Sequence, residues 1–245
     1  MSILDTPGHF LADLKKIIAL HGSFGLDNYP MTPELRHFFK ECRPGKRHIP
    51  KKPESPKPTP AVSLEDVRRQ LGDCCRCALH KGRGAILFGR GSQEADLFIV
   101  GEYPDTVDDA NGVLCSGPAG DLLTKMLAAI GLDLERVYFT NIVKCRASEE
   151  KLPARDEIAA CLPFLMAQIE VVSPRVICAM GPLAAQVLLK SRQPLVRLRG
   201  RFRQLNGIPL LATFHPSYLL RNFEMKEAAW QDLQAIHGRL TSPVS

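Results

Sequence analysis

Four short apolar runs, separated by helical segments, constrain the fold of this chain more than any other feature. The runs are DLFIVGE (96–102), VYFTNIV (137–143), RVICAMG (175–181) and IPLLATFHP (208–216). None alternates strictly between polar and apolar residues, so each predicts a strand buried on both faces. Between and after them lie AGDLLTKMLAAIGL (119–132), RDEIAACLPFLMAQIEVV (155–172), PLAAQVLLK (182–190) and KEAAWQDLQAIHGRL (226–240), which read as helices. Strands joined by helices predict an α/β fold with a parallel sheet covered on both sides. In such sheets a ligand binds at the carboxyl ends of the strands. Glu102, Asn141 and His215 all fall at or just past those ends.

The alternating part begins near Ser63. Ser63 and Asp66 have capping-box spacing, which marks a helix start. Residues 63–240 are therefore read as the main domain. Ahead of it, the segment 8–21 carries Phe10, Leu11, Leu14, Ile17 and Ile18 on one helical stripe. A second short helix is expected with Thr32 as its cap and Pro33 at its first position. Residues 1–42 are thus read as a helical extension, and residues 43–62 as a basic, proline-rich linker. The extension suits either a protein partner or docking on the main domain.

Hydrophobic residues make up 45% of the chain, ordinary for a globular protein. No apolar run is long enough to span a bilayer. The first residues lack a basic stretch ahead of an apolar core, so no signal peptide is expected. A cytoplasmic protein follows, with its eight cysteines as thiols or ligands and not disulfides. The net charge of +6 is unevenly placed. Arg43, Lys46, Arg47, Lys51, Lys52 and Lys57 face only Glu54 within residues 43–57. Lys190, Arg192, Arg197, Arg199, Arg201 and Arg203 face no acid within residues 190–203. Such clustering suits a surface that tracks phosphates. A solubilising linker and a solvated loop is the plainer reading. The second cluster lies between two core strands and close in sequence to His215, and is read as a phosphate contact.

Four cysteines stand out. Cys74 and Cys77 form a C-x-x-C pair, Cys145 follows the second strand run, and Cys161 lies in the next helix. One rigid corner plus two ligands gathered by folding is what a metal or cluster needs. Thiolate softness favours iron–sulfur or zinc over hard cations. Cys75 is the spare of the CCRC stretch, and would be a ligand if the register shifted. Cys42 and Cys178 read as a linker thiol and a small buried hydrophobe.

The chain resembles the family 4 uracil-DNA glycosylases, the iron–sulfur branch of their superfamily. The resemblance runs from about Ser63 to about Leu240. It is carried by C-x-x-C-x-L at Cys74, VGE-x-P at Gly101, AG-x-LL at Ala119, TN-x-x-KCR at Thr140, Cys161 in its helix, LRG at Leu198 and HPSYLLRN at His215. It implies a three-layer α/β/α sandwich around a four-stranded parallel sheet. It implies a 4Fe–4S cluster on Cys74, Cys77, Cys145 and Cys161, and release of uracil from DNA as part of base excision repair, by a protein that works as a monomer. Uracil must leave as an anion while the sugar gains positive charge, so the protein must extrude the base and stabilise it. By this resemblance His215 donates to uracil O2, and Asn141 reads O4 and N3–H, a pattern that cytosine reverses. Gly101 permits close approach of the loop 101–109 to the flipped nucleotide. Glu102 and Asp108 are the carboxylates near the sugar. Leu219 or Leu220 fills the gap left by the base, or packs in the core, and Arg221 meets a phosphate. Arg199 and Arg201 are the further DNA contacts.

The departures from the family fall in the pocket. Where the family reads G-E-A-P-G, this chain has Gly101-Glu102-Tyr103-Pro104-Asp105. Where a phenylalanine stacks on uracil, the alignment puts Cys115. Losing that ring costs about 1–3 kcal/mol of stacking. Two readings stand. In one, Tyr103 replaces the ring and the protein is a glycosylase for uracil or a related deaminated base. In the other, Tyr103 and Asp105 obstruct the nucleotide, leaving a module that binds DNA or senses damage with little cleavage.

Overall fold

The computed structural model describes residues 63–133, 136–147 and 152–242. The expected helices at 8–21 and after Thr32, and the basic linker, lie outside the described residues. Helix α1 (Leu64–Leu71) starts where the capping box was read: the Ser63 hydroxyl accepts from Asp66 N–H and donates to the Asp66 carboxylate. A 3₁₀ turn (Ala78–Lys81) follows the cysteine pair. The chain then runs through β1 (Arg90–Gly91), β2 (Leu97–Gly101), α2 (Thr106–Asn111), α3 (Gly117–Ala128) and β3 (Val137–Asn141). Next come α4 (Arg155–Val172), β4 (Val176–Met180), α5 (Pro182–Leu188) and α6 (Leu195–Leu198). It closes with β5 (Arg203–Leu205), β6 (Ile208–Thr213), α7 (Pro216–Leu219) and α8 (Lys226–Thr241).

The sheet has the order β1-β3-β2-β4-β6-β5. Its centre, β3-β2-β4-β6, is parallel throughout, the four strands expected from the apolar runs. The expectation of four strands in all is corrected to six, because short β1 and β5 add antiparallel edges. Two or three residues are too few to show a period in sequence. The β5–β6 connection was readable as Asn206–Gly207, both residues left-handed, a two-residue hairpin turn.

The core explains why the central strands carry no alternation. Phe98, Val100, Ile177, Ala179, Leu210 and Ala212 face Leu165 and Ile169 of α4 and Ala184 and Leu188 of α5. Leu97, Ile99, Val137, Phe139, Cys178, Met180 and Leu211 face Leu123 and Leu127 of α3 and Leu233 and Ile236 of α8. Both faces are covered, giving three layers. Each fully buried Leu, Ile or Phe contributes about 1.5–3 kcal/mol relative to exposure, so the sheet's carboxyl edge is a stiff platform. No helix among the described residues is long and apolar enough to cross a membrane.

Candidate active site

A cavity of about 630 Å3 opens at the carboxyl ends of β2, β3 and β6. Glu102, Tyr103, Asp108, Cys115, Asn141, His215 and Arg221, seven of the residues singled out from sequence, line it. Gly101 is the eighth by position. It pairs in register with Asn141 across β2 and β3, and a Cβ on it would collide with Asn141 Oδ1. The strand end thus needs glycine so that the Asn141 side chain can lie over it. Asn141 is 2% exposed, yet its amide takes no hydrogen bond from the described residues, and it faces the cavity. Open to the cavity, that amide offers a donor and an acceptor side by side to a ligand edge.

His215 precedes α7 and caps it. Its Nδ1 accepts from Ser217 N–H at 3.3 Å and lies 2.8 Å from Ser217 Oγ. Accepting at Nδ1 leaves the ring proton on Nε2. Burial pushes the imidazole down to about 4, with Asp105 opposing. At neutral pH the cavity therefore holds an uncharged imidazole with a donor at Nε2.

The two carboxylates differ in what they do. Glu102 Oε1 accepts from Leu183 N–H at 2.7 Å, tying the β2 end to the first turn of α5. Gly181, at φ 101, leaves room for that side chain: a Cβ there would sit 2.6 Å from Glu102 Cδ. Burial raises the Glu102 carboxyl, and the Leu183 bond opposes the shift. Asp108 is 5% exposed and accepts from Cys115 N–H at 3.0 Å, Ser116 N–H at 2.7 Å and the Ser116 hydroxyl at 2.9 Å. It braces the loop in which Cys115 adopts φ 50, a left-handed conformation unusual outside glycine.

The stretch read as a loop, 101–109, contains the start of a helix. Asp105 caps α2, accepting from Asp108 N–H at 2.8 Å. The Asp105–Asp108 spacing was the signal for that cap. Tyr103 packs against the main core, and burial, Glu102 and Asp105 together raise its hydroxyl. Burial pushes the Cys115 thiol up to about 12, so it is a neutral wall. Phe139, missed from sequence, lines the cavity two residues before Asn141. Strand alternation puts positions 139 and 141 on one face, which supplies an aromatic wall to a pocket whose expected ring position holds Cys115.

Two of the expected DNA contacts, Leu219 and Arg199, are tied into the fold. Leu219 is 1% exposed and sits in the core, whereas Leu220 lines the cavity. Arg199 Nε pairs with Asp232 at 3.0 Å, its Nη2 donates to Ala228 O, and its guanidinium stacks over Phe214. Arg201 is exposed and outside the cavity wall. The 190–203 cluster is also divided. Lys190 and Arg203 line a different cavity with Asn206, at the amino end of β6. For Lys190 and Arg203, sequence proximity to His215 did not become spatial proximity, because α5 carries the chain back from the carboxyl end of β4.

The four cysteines meet in one place. Cys74, Cys77, Cys145 and Cys161 line a small cavity with Leu71, Leu79, Ile86, Val143 and Lys144. Cys75 is exposed and outside it. Arg83 Nη1 donates to Cys74 O at 2.5 Å and to Cys145 Sγ at 3.5 Å. Lys144, 1% exposed, donates to Thr140 Oγ1 at 2.6 Å and Asn141 O at 2.7 Å. Burial lowers its ammonium to about 8, while Cys161 and Cys145 favour the charge. No three His, Cys, Asp or Glu among the described residues gather tightly enough for a single ion. A cluster of several atoms instead needs thiolates spaced around it, one per corner. Four thiols around one apolar cavity, with the buried Lys144 and the half-buried Arg83 beside them, fit that anionic group.

An open α/β sheet thus brings an amide and a neutral imidazole to one cavity at its carboxyl edge, the place where such sheets bind ligands. Residues 88–234 match the family model described as Uracil DNA glycosylase superfamily. The chain is 37% identical over 175 residues to the Type-4 uracil-DNA glycosylase of Thermotoga maritima, spanning 70% of this chain and 91% of that one. It is 33% identical to the Type-4 enzymes of Archaeoglobus fulgidus, over 71% and 92% of the two chains, and of Pyrobaculum aerophilum, over 72% and 94%. The chain belongs to the uracil-DNA glycosylase superfamily.

Proposed function

We propose that this protein is a DNA glycosylase that hydrolyses the bond between uracil and deoxyribose in DNA, opening base excision repair. The observation that carries this reading is the Asn141 amide, open to the same cavity as a neutral His215. An extruded uracil presents O4 and N3–H to the amide, which can both donate and accept. Cytosine presents the reverse pattern and leaves the amide unpaired, the kind of mismatch that discriminates strongly. His215 Nε2–H donates to O2 as negative charge develops there. A neutral donor suits this task, since its bond strengthens as the leaving base becomes anionic. Phe139, with Tyr103, provides the apolar walls against which the ring rests. Glu102, with one oxygen bound to Leu183 N–H, keeps the other for water or the cationic sugar. Asp108 acts through the loop it braces. Leu220, on the cavity wall, would fill the vacated stack, Arg221 would meet a phosphate there, and the exposed Arg201 would meet one outside the cavity. Arg199 supports the fold beneath them.

Cys74, Cys77, Cys145 and Cys161 would hold a 4Fe–4S cluster, with Arg83 and Lys144 balancing its negative charge. When bound, that group supplies a structural cross-link, plus a capacity for one-electron exchange. Residues 63–240 are the glycosylase domain, joined through the basic segment 43–62 to the extension 1–42. The reading is of a monomer acting on DNA in the cytoplasm. The test is a single- or double-stranded oligonucleotide bearing one uracil, incubated with protein and then cleaved with alkali. Wild type should produce the abasic break. Asn141→Ala should lower product by two orders of magnitude or more while keeping the cluster absorbance. Retained DNA binding without any product, at stoichiometric wild-type protein, would select the binding or damage-sensing module instead.

A further inference from the structure

Helix α2 carries two adjacent carboxylates that face opposite ways. Asp108 holds the Cys115–Ser116 wall of the base cavity. Asp109 instead accepts from Gly84 N–H at 2.9 and 2.8 Å and from Ala85 N–H at 3.1 Å. Its Oδ2 also pairs with Arg146 Nε at 3.2 Å. Arg146 Nη2 in turn donates to Gly82 O at 2.7 Å. All three of Asp109's partners are chain neighbours of groups at the cysteine cavity. Gly84 follows Arg83, whose guanidinium touches Cys74 O and Cys145 Sγ. Arg146 follows Cys145 directly.

Apolar packing holds little of the helix that carries the two carboxylates. It spans six residues, Asp108 is its only buried one, and Val107 is 49% exposed. Its seat is therefore set by charge-assisted hydrogen bonds, not by apolar packing. The approach at Gly84 is also close: a Cβ there would stand 3.2 Å from Asp109 Oδ2, tighter than ordinary contact.

We propose that Asp109 is a positioning residue that couples the occupancy of the cysteine cavity to the shape of the base pocket. The proposal rests on the reading that the four cysteines hold an iron–sulfur cluster. Ligation fixes the backbone at Cys74, Cys77 and Cys145, and with it the amides at 84–85 and the Arg146 side chain. These hold Asp109, and one residue earlier Asp108 holds the pocket wall. Loss of the cluster frees the first partners and lets the second relax.

The experiment uses the full chain, first assayed for iron and for cluster absorbance. Free uracil is the probe, its binding measured by calorimetry before and after the cluster is destroyed with ferricyanide and chelator. Amide exchange at residues 113–117 is followed in parallel. In wild type, cluster removal should weaken uracil binding tenfold or more and speed exchange at Cys115 and Ser116. Asp109→Asn, with iron content and absorbance unchanged, should bind uracil correspondingly weakly at the outset. Removing its cluster should then change binding less than twofold. Gly84→Ala, which crowds the same carboxylate from the other side, should behave likewise. Losses that multiply, or an Asp109→Asn protein that binds as wild type does, would overturn the coupling. Protein isolated without iron would overturn the cluster reading itself, and the coupling with it.

Discussion

Asn141 and His215 owe their chemistry to their immediate surroundings. Asn141 lies over a residue that cannot carry a side chain. Gly101→Ala should leave the fold intact, because the colliding atom is a movable amide oxygen, but that amide is the proposed base reader. Misplacement of about 1 Å can cost about 100-fold, so kcat/KM on a uracil oligonucleotide should fall by that order while the thermal midpoint shifts little. His215 makes a separate prediction in pH. Its folded-state value, about 4, lies below the ordinary value of 6.5. Between these values the unfolded chain binds a proton that the native state does not. Stability from this group is therefore full above pH 6.5 and is lost as pH falls toward 4. Denaturant midpoints measured from pH 7 to 4 should fall more steeply in wild type than in His215→Gln. Equal slopes would show that the ring is not held neutral. The motif around His215 was legible in sequence. Its tautomer was not, since that follows from Ser217 N–H reaching back to Nδ1.

The elements carry a different message about the LRG motif. Arg199 and Asp232 join the segment after α6 to α8, and Thr213 Oγ1 donates to the same carboxylate at 2.6 Å. Asp232 is 1% exposed. Burial raises its carboxyl, while Thr213 and Arg199 hold it down. Removing one partner of a buried pair strands the other charge and costs about 3–5 kcal/mol. Asp232→Ala should lose stability by that amount in urea unfolding and lower base release mainly through the fraction folded. In sequence Arg199 was one more cation in a basic run. Its partner lies 33 residues away on another element, a separation that no local pattern reports. The same reason hid Asp109 and Lys144. Helix α2 was missed because its cap, Asp105, was read as a charge facing DNA.

Across the whole molecule, charge is distributed by topology. Between Glu170 and Glu224 the chain holds no Asp or Glu but eight Lys and Arg. Folding sends Arg221 to the base cavity and Lys190 and Arg203 to a cavity at the amino end of β6. Binding to DNA should therefore lose salt dependence unequally. Arg221→Gln should reduce the slope of log K against log salt by about 0.9, the value for one phosphate contact. Lys190→Gln should leave the slope within error of wild type. The apolar runs by themselves determined the parallel centre, its burial on both faces and the edge at which a ligand binds, because burial writes itself directly into local composition. They also determined which side chains stand at that edge. Only the tertiary structure decided which of those side chains are free to act and which brace their neighbours, and only it brought the four thiols to one cavity beside Lys144 and Arg83. Hydrogen bonds and ion pairs join residues distant in the chain, so their pairing exists only once the sheet has been assembled.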